Sequence, residues 1–337
     1  MMDADAKNES ASSDPGRTGE IARCAGLARS LLAEIRKSLV GQDDVIVQVL
    51  IGLFASGHVI VEGLPGLGKT LLVRSVARAF GGRAARVQFT PDLMPSDITG
   101  HVMFNMRTGT FETRRGPVFT NLLIADEINR APAKTQAALL EVMQERQVSL
   151  EGESIPLSPP FMTLATQNPL EHEGTYPLPD AQLDRFLLKI QIDYPSAEQE
   201  AAMVERVTEG RIGDDLPLEA VATVASPQDV VGIQKAAARV SAAPRVVDYA
   251  VRIVRRSREW PGIAAGAGPR GSLALVRAAR VRALLEERTF IVPDDVKAVA
   301  LPALRHRVVL SPEMEIEGHK PDALIADLLG SVEAPRE

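Results

Sequence analysis

The stretch Gly63-Leu64-Pro65-Gly66-Leu67-Gly68-Lys69-Thr70 constrains this chain more than any other part of it. It follows the apolar run His58-Val59-Ile60-Val61 and leads into a helix-patterned segment from Leu71 to Phe80, so the spacing G-x-x-x-x-G-K-[ST] falls between a predicted strand and a predicted helix. Glycines at these positions let backbone N–H groups converge on a phosphate with no Cβ in the way, and the helix N-terminus adds a favourable dipole. Lys69 is placed to reach β- and γ-phosphates, and the Thr70 hydroxyl to ligate Mg2+. The binding set read from this stretch is Gly63, Pro65, Gly66, Leu67, Gly68, Lys69, Thr70 and Leu71.

The surrounding pattern extends the strand-loop-helix unit into a layered fold. Near-continuous apolar runs recur at 58–61, 86–89, 122–125, 161–164 and 187–190, with helical periodicity between several of them, as in 71–80 and 135–145. Strands apolar on both faces that alternate with helices predict an open α/β parallel sheet. Ligands of such sheets bind at the carboxyl ends of the strands. There the third run ends in Asp126-Glu127 and the fourth in Gln167-Asn168-Pro169. Asp126 is expected to hold the Mg2+ shell through water, Glu127 to polarise an attacking water, and Asn168 to hydrogen-bond a water or a phosphate oxygen. Arg185, just before the last strand, and Arg270, at the start of a helix from Ser272, both carry the guanidinium chemistry that stabilises charge on a transferring phosphoryl group.

At 337 residues, the chain has room for one large domain or two modest ones. Residues 1–19 carry almost no large apolar side chain and read as a disordered tail, 20–194 as the nucleotide-binding domain, 195–331 as a helical domain and 332–337 as a short C-terminal tail. Gly262 to Gly271 reads as a loop, because glycines and prolines crowd it. Ile21, Cys24, Ala28, Leu31, Ile35 and Leu39 recur at steps of three and four, which predicts an amphipathic helix with the single cysteine on its buried face. One cysteine excludes an intramolecular disulfide, and the five histidines lack metal-ligand spacing. The formal net charge of −6 argues against sequence-independent binding of nucleic acid. No apolar run is long enough for membrane insertion and the N-terminus lacks a signal-peptide core, so the chain reads as soluble and cytoplasmic.

Taken together, the motifs resemble an AAA+ ATPase, and within that class the MoxR family. The carrying residues are Leu39-Val40-Gly41-Gln42, the phosphate loop, Ala125-Asp126-Glu127-Ile128-Asn129-Arg130-Ala131-Pro132 and Ala165-Thr166-Gln167-Asn168-Pro169. To these are added 178–186, Gly268-Pro269-Arg270, 292–296 and Leu304-Arg305-His306-Arg307, and the resemblance spans about residues 30 to 320. It implies ATP and ADP as ligands with Mg2+, and a core sheet of five parallel strands in the order 5-1-4-3-2, with a smaller all-α lid. It implies Val40, Gly41 and Gln42 beside adenine, Asn168 as sensor 1, Arg270 as sensor 2 reaching from the lid onto the nucleotide, and Arg185 as an arginine finger for a neighbouring subunit. Segments 98–119 and 148–157 match hairpin insertions that face a client. The resemblance further implies a homo-oligomeric ring, usually a hexamer, that remodels or activates a client protein complex, often with a von Willebrand factor A domain partner. A nucleic-acid motor and a magnesium-chelatase-like ATPase subunit remain the alternatives.

Overall fold

The computed structural model describes residues 15–64, 66–168, 176–208 and 218–335. The chain begins with α1 (Pro15–Arg36) and α2 (Asp43–Phe54), followed by β1 (Val59–Gly63), α3 (Lys69–Ala79) and β2 (Ala84–Gln88). A short α4 (Pro95–Thr99) leads into a hairpin, β3 (Gly100–Asn105) and β4 (Thr110–Arg115), and then into β5 (Leu122–Asp126) and α5 (Ala133–Glu145). A second hairpin, β6 (Gln147–Leu150) and β7 (Glu153–Pro156), precedes β8 (Met162–Gln167), α6 (Asp180–Leu183) and β9 (Leu188–Ile192).

The remainder is α7 (Ala197–Thr208), α8 (Pro227–Arg239), α9 (Pro244–Ser257), β10 (Ile263–Ala265), α10 (Pro269–Leu285), α11 (Pro293–Leu304), β11 (Val309–Leu310), α12 (Pro312–Ile316) and α13 (Pro321–Ser331). Among the described residues no helix is long and apolar enough to cross a membrane.

The central sheet has the order β2-β5-β8-β1-β9, with every pairing parallel. Numbering its five members in chain order, this is 5-1-4-3-2 read from the opposite edge. Alternation along each strand feeds two apolar layers. Val59, Val61, Leu122, Ile124, Leu164 and Ile190 pack with α1 to α3, while Ile60, Leu123, Ala125 and Ala165 pack with Leu139, Leu140 and Met143 of α5. Helices α8 to α11 contribute Val230, Tyr249, Leu275 and Val299 to the first layer, so the helical part shares that core. The predicted face of α1 is buried as expected, with Ile21, Cys24, Ala28, Leu31 and Ile35 all inside.

Two boundaries differ from the sequence reading. Helix α1 starts at Pro15, inside the segment read as a tail; proline is tolerated in a first helical turn, and Pro-Gly-Arg-Thr-Gly offers no apolar residue to reveal the period. The segment read as a glycine-rich loop holds β10, which pairs antiparallel with β11 (Ile263↔Leu310, Ala265↔Val309) and adds a small ribbon to the helical part. Strands of two and three residues carry no period to read. Both predicted hairpins are present, with Asn105↔Thr110 and Leu150↔Glu153 closing their tips.

Two histidines are locked as neutral rings beneath the sheet. His58 Nδ1 accepts from the Thr163 N–H at 2.9 Å while Nε2 donates to Met143 O at 2.9 Å. Burial pushes its pKa down from 6.5 to about 4, and burial also pushes His306 well below its ordinary value. A group held neutral in the fold but protonated in the unfolded chain stabilises fully above its unfolded pKa and progressively less below it. Stability is therefore expected to fall between pH 6.5 and 4, by roughly 3 kcal/mol for His58 alone. His58→Asn, followed by urea midpoints at pH 4.5 and pH 7, is expected to show a shallower acid slope; an unchanged slope would rule His58 out as the source.

Candidate nucleotide site

The phosphate loop leaves the end of β1 and turns into α3 through two left-handed residues, Gly66 (φ +85°) and Gly68 (φ +77°). A Cβ on Gly63 would stand 2.8 Å from the Ile192 carbonyl of β9, so only glycine lets the neighbouring strand approach. Lys69 Nζ donates to Gly63 O at 2.7 Å. Burial lowers the Lys69 pKa, and the nearby charges of Asp126 and Glu127 oppose that shift. Thr70 and Leu71 occupy the first turn of α3 and are half-buried, as is Val40, while Leu67 and Leu71 pack against the core. Pro65 lies outside the described residues.

A second segment closes on this loop from the side. Gln42 Nε2 donates to Leu67 O at 2.8 Å, whereas its buried Oε1 has no partner among the described residues. Gly41 is left-handed (φ +74°), and a Cβ there would meet the Gln199 side chain of α7 at 2.6 Å. Val40 to Gln42 thus lies between the phosphate loop and α7.

The acidic pair is built around Thr166, a residue the sequence reading quoted without giving it a role. Its hydroxyl donates to Asp126 Oδ1 at 2.5 Å and accepts from the Glu127 N–H at 2.9 Å. That fully buried hydroxyl joins the end of β8 to the end of β5. Arg86 Nε, on β2, donates to Asp126 Oδ2 at 3.1 Å. Glu127 adopts a left-handed conformation (φ +55°), uncommon for a residue with a side chain, as the chain enters the turn Ile128–Arg130. Its Oε2 accepts from Gln88 Nε2 at 2.7 Å and lies 3.2 Å from Arg130 Nη1. Asn168 is buried just beyond β8.

Arg86 and Gln88 were also missed. For Gln88 the signal available in the sequence was its place near the carboxyl end of a predicted strand, on the edge where the other strands present Asp126, Glu127 and Asn168; Arg86, at the start of that predicted strand, carried none. The predicted loop, acid pair and Asn168 therefore converge on one edge of the sheet.

The two predicted arginines do not join them. Arg185 and Arg270 line a cleft of about 270 Å³ together with Ser56, Gly57, His58 and Leu187, which precede β1 and β9 at the amino ends of the strands. A five-residue strand rises about 3.3 Å per residue, so this cleft and the phosphate loop are separated by roughly 15 Å of sheet. Arg270 Nε lies 3.9 Å from Asp184 Oδ2 and does not reach its own chain's phosphate loop. Arg146, Arg277 and Arg307 line the same cleft, giving it strong positive charge. Arg146 Nη2 is tied to Ser56 O at 2.8 Å, and Arg277 Nη2 to Ala55 O and Ser56 O.

Comparison with known proteins gives this geometry its family. Residues 58–188 match the model of the ATPase family associated with various cellular activities, and residues 255–328 match the AAA lid domain. The chain is 43% identical to the chaperone MoxR1 of Mycobacterium tuberculosis, over 95% of this chain and 85% of that one. It is 38% identical to the protein MoxR of Methylorubrum extorquens, over 89% and 91% of the two chains. A crystal structure of a protein from Cytophaga hutchinsonii superposes with a TM-score of 0.88 at 37% identity, covering 96% of this chain and 99% of that one. With a phosphate loop, an acid pair and a polar strand end on one edge of a 5-1-4-3-2 parallel sheet, and relatives of this identity over most of its length, the chain belongs to the MoxR family of AAA+ ATPases.

Proposed function

We propose that the chain binds ATP with Mg2+ at the carboxyl edge of its sheet and hydrolyses it in a ring of identical subunits to remodel or activate a partner protein complex. The observation that carries this reading is the convergence of Lys69, Asp126, Thr166, Glu127 and Asn168 on one edge. The division into a nucleotide-binding unit (20–194) and a lid (195–331) belongs to the same proposal.

The residues present fit the ligand. Left-handed glycines turn the loop tightly into α3, Lys69 donates to a backbone carbonyl it can leave for a phosphate, and Gln42 Oε1 is an acceptor beside the loop with no partner among the described residues. Val40, Gly41 and Gln42 would flank the adenine. Thr70 and Asp126 would hold Mg2+, which when bound supplies positive charge to the β- and γ-phosphate oxygens. Thr166 holds the Asp126 carboxylate and the Glu127 backbone in fixed register, so Glu127 can take a proton from a water. Asn168 supplies the hydrogen bond that orients that water or a γ-oxygen.

The separation of Arg185 and Arg270 from this edge supports a role for both in the site of the next subunit. A head-to-tail ring seats the amino-edge cleft of one protomer against the carboxyl edge of its neighbour. In that arrangement Arg185 acts as the arginine finger and Arg270 as sensor 2, each across the interface. The β3–β4 hairpin supports a protein client, because its tip exposes Phe104, Met106 and Phe111, the last two 89% and 74% exposed. The name of MoxR1 adds chaperone activity to this reading, and a von Willebrand factor A domain protein is the partner proposed.

Lys69→Ala is expected to weaken ATP binding at least about tenfold by calorimetry, since it removes the positive charge that meets the phosphates. Glu127→Gln is expected to bind ATP normally while phosphate release falls at least about 100-fold. Native turnover from the Glu127→Gln protein would disprove the base assignment. Turnover per subunit of the native protein should rise with protein concentration as rings assemble, and Arg185→Ala should lower kcat without altering ATP affinity. A full rate from diluted monomers would contradict a shared site. Co-expression of the ATP-trapped Glu127→Gln protein with a von Willebrand factor A domain protein is expected to give a stable complex in ATP that dissociates in ADP, read by size-exclusion chromatography. Equal retention in both nucleotides would argue against a remodelling cycle.

A further inference from the structure

The motif Leu304-Arg305-His306-Arg307 has no part in the chemistry above, yet it touches the segment that carries Arg185. Arg307, just past the end of α11, is almost fully buried, with 3% of its side chain exposed. Its Nε donates to Asp184 Oδ1 at 2.7 Å, and Nη2 donates to Phe186 O at 2.6 Å and Asp184 O at 3.2 Å. Its Nη1 donates to Leu187 O at 3.2 Å and to Ala303 O. The neighbouring His306 donates from Nε2 to the same Phe186 O at 3.1 Å.

Both residues flanking Arg185 are thus held by a rigid, planar fork of donors, while Arg185 itself stays exposed. The other carboxylate oxygen of Asp184 lies 3.9 Å from Arg270 Nε, so one acidic side chain stands between the buried arginine and the lid arginine. Arg305 provides a contrast. It donates from Nε and Nη2 to Asp322 at 3.0 and 2.7 Å and from Nη1 to Lys189 O at 3.2 Å, which ties α13 to β9.

We propose that Arg307, acting through Asp184 and the Phe186 carbonyl, is a positioning residue that sets Arg185 and Arg270 as one rigid pair for the neighbouring subunit's active site. This rests on the reading that Arg185 works across the interface. Reacting groups displaced by about 1 Å can lose about 100-fold in rate, so a clamp on the backbone either side of Arg185 is enough to govern turnover without touching nucleotide.

The test is trans-complementation. Arg307→Lys keeps the charge but removes the fork. It is expected to assemble and bind ATP as the native protein does, with unaltered KM and a kcat lower by about 10- to 100-fold. Mixed in equal amounts with the inactive Glu127→Gln protein, it is expected to regain activity. About a quarter of the interfaces in mixed rings then join an intact Glu127 to an intact arginine pair. Arg185→Ala mixed with Glu127→Gln is the reference for that recovery. Arg305→Lys is the comparator for loosened lid packing, expected to lower the melting temperature and leave kcat within about twofold.

An unaltered kcat in Arg307→Lys overturns the proposal. So does a loss that Glu127→Gln does not restore while Arg185→Ala is restored, because the defect then lies in the variant's own site. If Arg185→Ala is not restored either, the shared-site reading fails and the proposal with it. Should Arg307→Lys fail to assemble, Asp184→Asn, which keeps the shape but not the charge, is judged by the same outcomes.

Discussion

Parallel pairing of β1, β8 and β5 is the constraint on which the rest depends. Because every strand of the sheet runs the same way, residues that follow β1, end β5 and end β8 arrive on one edge, although they are about a hundred positions apart in the chain. The Thr166 hydroxyl turns that coincidence of strand ends into a fixed geometry. It donates a hydrogen bond to the Asp126 carboxylate and accepts one from the Glu127 N–H, so the Asp126 side chain and the Glu127 backbone share one buried anchor.

The same directionality separates two sets of charge. The carboxyl edge gathers Asp126 and Glu127 with Lys69, Arg86 and Arg130, and the amino edge gathers arginines with Asp184. The cationic cleft is costly in isolation. Burial pulls both Arg277 and Arg307 downward, and each is compensated by carbonyl oxygens or by Asp184 rather than by solvent.

The helical part is more than a cover. Its apolar residues enter the layer formed by α1 to α3, and its polar residues reach the segments that precede β1 and β9. His58 and His306 contribute from within, each held neutral by burial, which outweighs the opposing pull of its hydrogen bond to a main-chain carbonyl. The helical part is therefore coupled directly to the segments that carry Arg185 and Arg270.

The sequence by itself determined the sheet, the phosphate loop, the acid pair and Asn168, because each depends on local pattern: apolar runs of strand length, a glycine spacing that only one loop geometry uses, and polar residues where those runs stop. Both hairpins were expected from the family resemblance of segments 98–119 and 148–157. Tertiary structure alone decided where the arginines stand, because Arg185 and Arg270 are defined by which end of a strand their segments pack against. It decided the partners of Thr166, Arg86, Gln88 and Arg307 for the same reason, since those partners are supplied by distant parts of the chain. The start of α1 and the β10–β11 ribbon were hidden for a simpler cause. Short elements made of glycine, proline and alanine leave no periodicity, and only pairing across the fold brings them into being.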